Sequence, residues 1–134
     1  MKTYIKAISN TLLFLTISSI SPCQTIDPSK IDIVRDTYGV PHIFAKTDAE
    51  VAYGLAWATC EDDFETMQWM LLAGTSQQGR YYGKKGAVID YVSHLMRISE
   101  LVEAKYETDL SDEFKQIIEA HTQAINKYAE LHPD

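Results

Sequence analysis

Ile31-Asp-Ile-Val-Arg-Asp-Thr-Tyr-Gly-Val-Pro-His-Ile-Phe-Ala45 reads as two short strands folded back on each other. Side chains alternate faces along a strand. Ile31, Ile33 and Arg35 therefore share one side of the first strand, and Asp32, Val34 and Asp36 the other. Gly39 supplies the residue that tolerates positive φ in a tight reversal. Pro41 stands at a strand start, where a missing N–H is harmless. Ile43 and Ala45 share a face with Phe44 opposite, so both faces of the ribbon carry apolar groups. Such a ribbon is expected to lie inside a larger layered sheet. Two strands alone are marginal in water, so the isolated chain is expected to be molten or prone to aggregate.

Working outward, Thr47-Asp-Ala-Glu50 is a capping box, which satisfies free N–H groups at a helix start. The helix it opens is predicted to run from about Asp48 to Ala73. Its apolar residues, among them Val51, Leu55, Phe64, Met67 and Leu71, cover much of its girth, the mark of a helix held between layers. Gly54 inside it predicts close approach of another backbone. Gln77 to Asp90 is glycine-rich and reads as a loop with one helical turn around Arg80-Tyr81-Tyr82. Gly79-Arg-Tyr-Tyr-Gly83 is not a phosphate loop, since no Gly-Lys-Ser/Thr closes it. Val88 to Tyr106 has helical spacing. A final helix starts at a cap on Asp109 or Ser111, with Phe114, Ile117, Ile118, His121, Ile125 and Tyr128 in one stripe. The fold class is α+β, a β-hairpin followed mostly by helices.

The chain has 134 residues, enough for one small domain. Residues 1–23 have the pattern of a signal peptide: basic Lys2 and Lys6, the apolar run Thr11–Ile17, then small residues up to Cys23. That pattern predicts export, to the periplasm or beyond. Two processing routes stay open. Cleavage after Cys23 would place Ser21 and Cys23 at the small-residue positions. Alternatively Cys23 becomes the lipid-modified first residue of a lipoprotein, against which Pro22 and Ile20 argue. Residues 24–134 are then the mature part. Removing Lys2 and Lys6 from 12 basic residues leaves 10 against 19 acidic, net −9. That balance excludes nucleic acid and, unless Cys23 is lipidated, a membrane surface as partners. Without Cys23, Cys60 is the sole cysteine and no internal disulfide is expected. Its setting among Ala58 and Thr59 predicts a small buried helix residue.

No catalytic constellation is complete. There is no Gly-x-Ser-x-Gly elbow, no His-Glu-x-x-His and no Cys-x-x-Cys. His42, His94, His121 and His132 are scattered; His42 reads as a strand side chain bonded to a neighbouring loop, His121 as a packed helix residue. Glu61-Asp62-Asp63 is the sharpest acidic cluster. Neighbours on a helix diverge by about 100°, so the three cannot all grip one ion. One of them could contact calcium, but Asp62 is better matched to an arginine or a loop cap. Arg35 and Asp36 read as an ion pair or a backbone clamp. Tyr81, Tyr82 and Tyr91 could line an acyl pocket, though covering the helix layer suits them better. No residue of this chain is assigned a catalytic, cofactor-binding or metal role.

The string Val34-Arg-Asp-Thr-Tyr-Gly-Val-Pro-His-Ile43, followed by Tyr53-Gly54, Asp62, Met67 and Gly79, resembles the opening of the α-chain of the penicillin amidase family, which includes penicillin acylases and acyl-homoserine-lactone acylases. The resemblance runs from about Lys30 to the chain end, densest up to Gly79. It implies an N-terminal nucleophile hydrolase with a four-layer αββα sandwich, incomplete in this chain. In that family a precursor cuts itself, and the new N-terminal serine of the β-chain attacks a linear amide. Its own α-amino group, with a pKa of about 7.7–8.0, serves as base. Those groups lie beyond the matched region. The resemblance thus implies a fragment of an exported amidohydrolase precursor, inactive alone. Its partners would be the β-chain and a small N-acyl substrate; no cofactor is expected in this segment, with calcium open for the full-length enzyme. The chain departs from the common Ala-Gln-Asp-Arg pattern, carrying Cys60-Glu-Asp-Asp63, closer to the lactone- and lipopeptide-acylase side. A small exported binding domain without catalysis is the alternative.

Overall fold

The computed structural model describes residues 25–133. The leader, both processing routes and Cys23 lie outside the described residues. The elements run as a 3-10 turn Pro28–Lys30, β1 Asp32–Arg35, β2 Pro41–Phe44, α1 Asp48–Gly74, α2 Gln78–Tyr82, α3 Lys84–Leu95, α4 Ile98–Asp109 and α5 Asp112–Leu131. The fold among the described residues is mostly helical with one antiparallel pair of strands.

The hairpin forms as its sequence dictates. Ile33 pairs with Ile43 and Arg35 with Pro41, and Gly39 takes φ 83° in the turn. Asp36 N–H donates to the Val40 carbonyl at 3.1 Å. Hydrogen-bonded pairs alternate along an antiparallel ladder, so Val34–His42 is a bonded pair and Arg35–Pro41 is not. Pro41 therefore sits where its nitrogen points away from β1 and no ladder bond is lost. Ile31, Ile33 and Ile43 are turned inward and half-buried, while Val34 and Phe44 on the outer face are exposed.

The inward face rests on the first half of α1, which starts at the expected box: Thr47 Oγ1 accepts from Glu50 N–H and Glu50 carboxylate from Thr47 N–H. The expected reason for Gly54 needs correcting. A Cβ there would come 2.7 Å from Ile43 Cγ2 and 2.9 Å from Ile31 Cγ2. The glycine makes room for two branched side chains of the hairpin, not for another backbone. The opposite side of the same half-helix packs on α5. Ala56 and Ala124 are fully buried and Ala120 nearly so, together with Tyr53, Cys60, Ile125 and Ile26. The small side chains let the two helices close up. Ile26 N–H donates to Gln123 Oε1 at 3.2 Å and so ties the chain start to α5.

Three boundaries differ from the sequence reading. The helical pattern from Asp48 is broken at Asp63, which takes φ −160° and ψ 78°. Its carboxylate accepts from Thr66 N–H at 3.0 Å, so Asp63 caps a second helix that leaves at a new angle. Lys84 to Asp90, expected as loop, is the first half of α3. Both Asp90 oxygens accept from the start of α2, Oδ1 from Gln78 N–H at 3.0 Å and Oδ2 from Gly79 N–H at 2.7 Å. Gly86, lacking a side chain, admits the Gln78 backbone between them. The long pattern Val88–Tyr106 splits into α3 and α4 at Arg97, which is left-handed at φ 53°. The last helix keeps its expected cap, Ser111 Oγ accepting from Phe114 N–H at 3.2 Å. Its buried stripe is Ala120, Ala124 and Ile125, while Phe114 is exposed.

The alanine seam generates a test. Ala124→Leu is expected to destabilise the chain by about 1–3 kcal/mol, the cost of overpacking. Ala129→Leu on the exposed side of α5 is expected to stay within about 0.5 kcal/mol. Thermal unfolding of both variants checks this.

Candidate functional site

The polar groups singled out in the sequence converge where the hairpin turn meets α1. Arg35 lies on the inward face of β1, and its guanidinium spans the gap. Nη1 donates to the Gly39 carbonyl at 2.9 Å, and Nη2 to the Ala58 carbonyl at 3.3 Å and to Glu61 Oε2 at 3.1 Å. Asp62 Oδ1 lies 2.8 Å from the same Nη2. Its hydrogen bonds to Glu61 and then to Asp62 push the Arg35 pKa up. Asp62 therefore has the arginine partner its position suggested. The first carboxylate of the cluster also holds a ring, since Trp57 Nε1–H donates to Glu61 Oε1 at 3.0 Å.

Asp36 is a clamp on backbone, not the partner of Arg35. Its Oδ1 accepts from Tyr38 N–H at 2.8 Å and Val40 N–H at 2.9 Å. The bonds from Val40 and then Tyr38 hold its carboxyl below the usual range. His42 Nε2 stands 3.5 Å from Asp36 Oδ2, so the most tempting histidine faces the turn rather than a hydroxyl or thiol. Asp63, capping Thr66, is likewise lowered by that hydrogen bond.

Glu61 and Asp62 are drawn onto one guanidinium and Asp63 onto a backbone N–H, so the three carboxylates do not form an oxygen cage that fits calcium. No group of three or more His, Cys, Asp or Glu that could hold a metal occurs among the described residues. Cys60 is buried as expected, and burial pushes its thiol pKa up, the wrong direction for a nucleophile. His121 is half-buried on α5, and His94 is exposed. His132 stacks on Tyr128 with ring centres 4.1 Å apart. Tyr81, Tyr82 and Tyr91 are all exposed, so they do not pack as a cover over the helix layer. Beside the clamp an apolar groove of about 390 Å³ runs between β1 and the end of α5, floored by Tyr53 and Trp57.

Sequence reasoning missed two joints, the Asp63 cap and the Asp90 bonds to α2. The first had a local signal, an N-cap residue three places before Thr66 inside an otherwise helical run. The second joins residues 11 and 12 apart across a turn and left no such mark.

The clamp is testable through stability. Arg35→Lys keeps the charge but loses the planar fork that reaches several acceptors at once, and the thermal midpoint is expected to fall by a few degrees. For Asp36 the folded pKa is depressed. Its contribution is therefore complete above the ordinary value of about 3.9 and lost as pH falls below it. Asp36→Ala is expected to lower stability at neutral pH and to flatten the acid limb of a stability-against-pH curve.

A family model described as penicillin amidase matches residues 30–134. The acyl-homoserine lactone acylase PvdQ of Pseudomonas putida is 33% identical over 58 residues, covering 43% of this chain and 8% of that protein. The PvdQ acylase of Pseudomonas fluorescens is 28% identical over 69 residues, covering 52% of this chain and 9% of that protein. The chain thus spans less than a tenth of the length of the curated relatives it matches. The thermostable penicillin G acylase from Alcaligenes faecalis has a similar fold, with a TM-score of 0.59 at 22% identity over 75% of this chain and 53% of that one. Matched by that family model from Lys30 onward through hairpin and helices alike, the chain belongs to the penicillin amidase family.

Proposed function

We propose that this chain is the N-terminal part of the α-chain of an exported amidohydrolase precursor that cleaves linear amide bonds in small N-acyl compounds. The observation that carries the reading is the family match from residue 30 to 134, in a chain whose similarity covers only 8% and 9% of two acylases. The polar residues of the hairpin and α1 are occupied in holding the hairpin, so the reacting groups belong to the remainder of the precursor. A serine freed at the start of the β-chain attacks the amide carbonyl. Its α-amino group takes the proton, since an ordinary α-amine titrates at about 7.7–8.0, close to the working pH. The β-chain also completes the four-layer αββα sandwich, with the hairpin as part of one inner layer. Any calcium in the whole enzyme takes its ligands outside Glu61, Asp62 and Asp63. Residues 1–23 direct export, and N-acyl-homoserine lactones and penicillins are the substrate classes the relatives' names suggest.

The test is direct. The 134-residue chain alone is expected to release no free amine from an acyl-homoserine lactone or from penicillin G. The full-length precursor is expected to yield two chains, the second starting with serine, and to hydrolyse one of these substrates. Replacing that serine by alanine is expected to abolish turnover. Amidase activity in the 134-residue chain, lost on mutating one of its own residues, would refute the assignment.

A further inference from the structure

We infer that the outer edge of β1, and not that of β2, receives an extended strand from the remainder of the precursor. The inference rests on reading the chain as one piece of a longer polypeptide. The register decides which edge is open. Ile33–Ile43 and Arg35–Pro41 are the pairs that do not exchange ladder bonds. Their backbone groups point outward, those of Ile33 and Arg35 from β1, those of Ile43 and Pro41 from β2. The β1 edge thus offers an N–H and a C=O at two alternate residues. The β2 edge lacks one donor, because Pro41 has no N–H, and proline blunts an edge against further pairing.

The surface beside β1 also suits an incoming strand. The groove of about 390 Å³ opens on that side, lined mostly by apolar groups of Ile31, Ile33, Tyr53, Trp57 and Leu131, with the charged Glu61 and Lys127 also on its lining. No residue of β2 lines it. A strand added to β1 would stand about 4.8 Å away and lie over this groove. Every second side chain would drop onto the two rings, so the segment that fits has apolar residues at alternate positions. Backbone bonds supply the pairing and the groove the selection, the general logic of strand addition. The share of the relatives' length outside this chain, more than nine-tenths of each, leaves ample polypeptide to provide the segment.

Residue-resolved amide hydrogen exchange on the purified full-length enzyme tests the edge. The Ile33 and Arg35 amides are expected to exchange at least about tenfold more slowly than the Ile43 amide. A smaller difference, or a reversed one, overturns the proposal. So does protection that disappears on dilution, because a second copy of the enzyme is then the occupant. Amidase activity of the same sample reports separately on the function: an active enzyme with an unprotected β1 edge defeats this inference and leaves the hydrolase reading standing.

Discussion

The seating of the hairpin on α1 is the contact from which the arrangement follows. Ile31 and Ile43 approach Gly54 so closely that no Cβ fits between them. Branched side chains are stiff about χ1, so the two isoleucines and the bare helix surface define one register and one height. With that side of the half-helix taken by strands, the other side, bearing Ala56 and Cys60, is left for α5. The alanines at 120 and 124 answer it with equally small side chains. A larger residue on either face would force the layers apart. The three-layer stack of hairpin, α1 and α5 is therefore set by what these positions lack.

Polar contacts then orient what the apolar contacts hold. Exposed ion pairs contribute little by themselves, and Arg35 is better understood by its reach than by its charge. One guanidinium touches the turn at Gly39, the helix backbone at Ala58 and two consecutive carboxylates. It adds a polar tether between turn and helix to the seating that the isoleucines define. Immediately after those carboxylates the helix stops and restarts at Asp63. The sequence Glu61-Asp-Asp63 thus divides its work: two side chains face the hairpin and the third begins a new helix.

Much of this was legible in the residues because it depends on local rules. Alternation and the Gly39 turn specified the hairpin, and Thr47 with Glu50 specified the helix start. That Asp62 would meet an arginine was legible too, but not which one: Arg35 stands beside Asp36 in sequence, and strand alternation turns it to Glu61 and Asp62 instead. The failures share a different cause. Lys84–Asp90 looked like a loop because glycines cluster there, yet Gly86 is needed for helix crossing and Asp90 satisfies the N–H groups that begin α2. Both are tertiary requirements that spacing cannot express. The stripe of α5 was drawn through Phe114, the bulkiest apolar residue, whereas the contact chose Ala120 and Ala124. Hydrophobicity marks what can be buried; closeness of approach decided what was.

The distribution of apolar surface bears on how the piece relates to the rest of its family. The first half of α1 and the middle of α5 are well covered. Beyond the Asp63 break the balance reverses, with Met70, Leu71, Val92, Leu95, Leu101 and Val102 exposed. Scattered apolar residues at a surface need no explanation, but these fall on successive helices and the hairpin adds Val34 and Phe44. Exposed apolar residues gathered on successive elements are of the kind that marks surface for contact. The covered part holds the clamp of Arg35, Glu61 and Asp62, and the exposed apolar residues lie mostly beyond it. Scaffold and exposure are thus two sides of one division of labour. The segment fixes a hairpin edge and a helix layer in place, and its apolar exposure is concentrated past the Asp63 break.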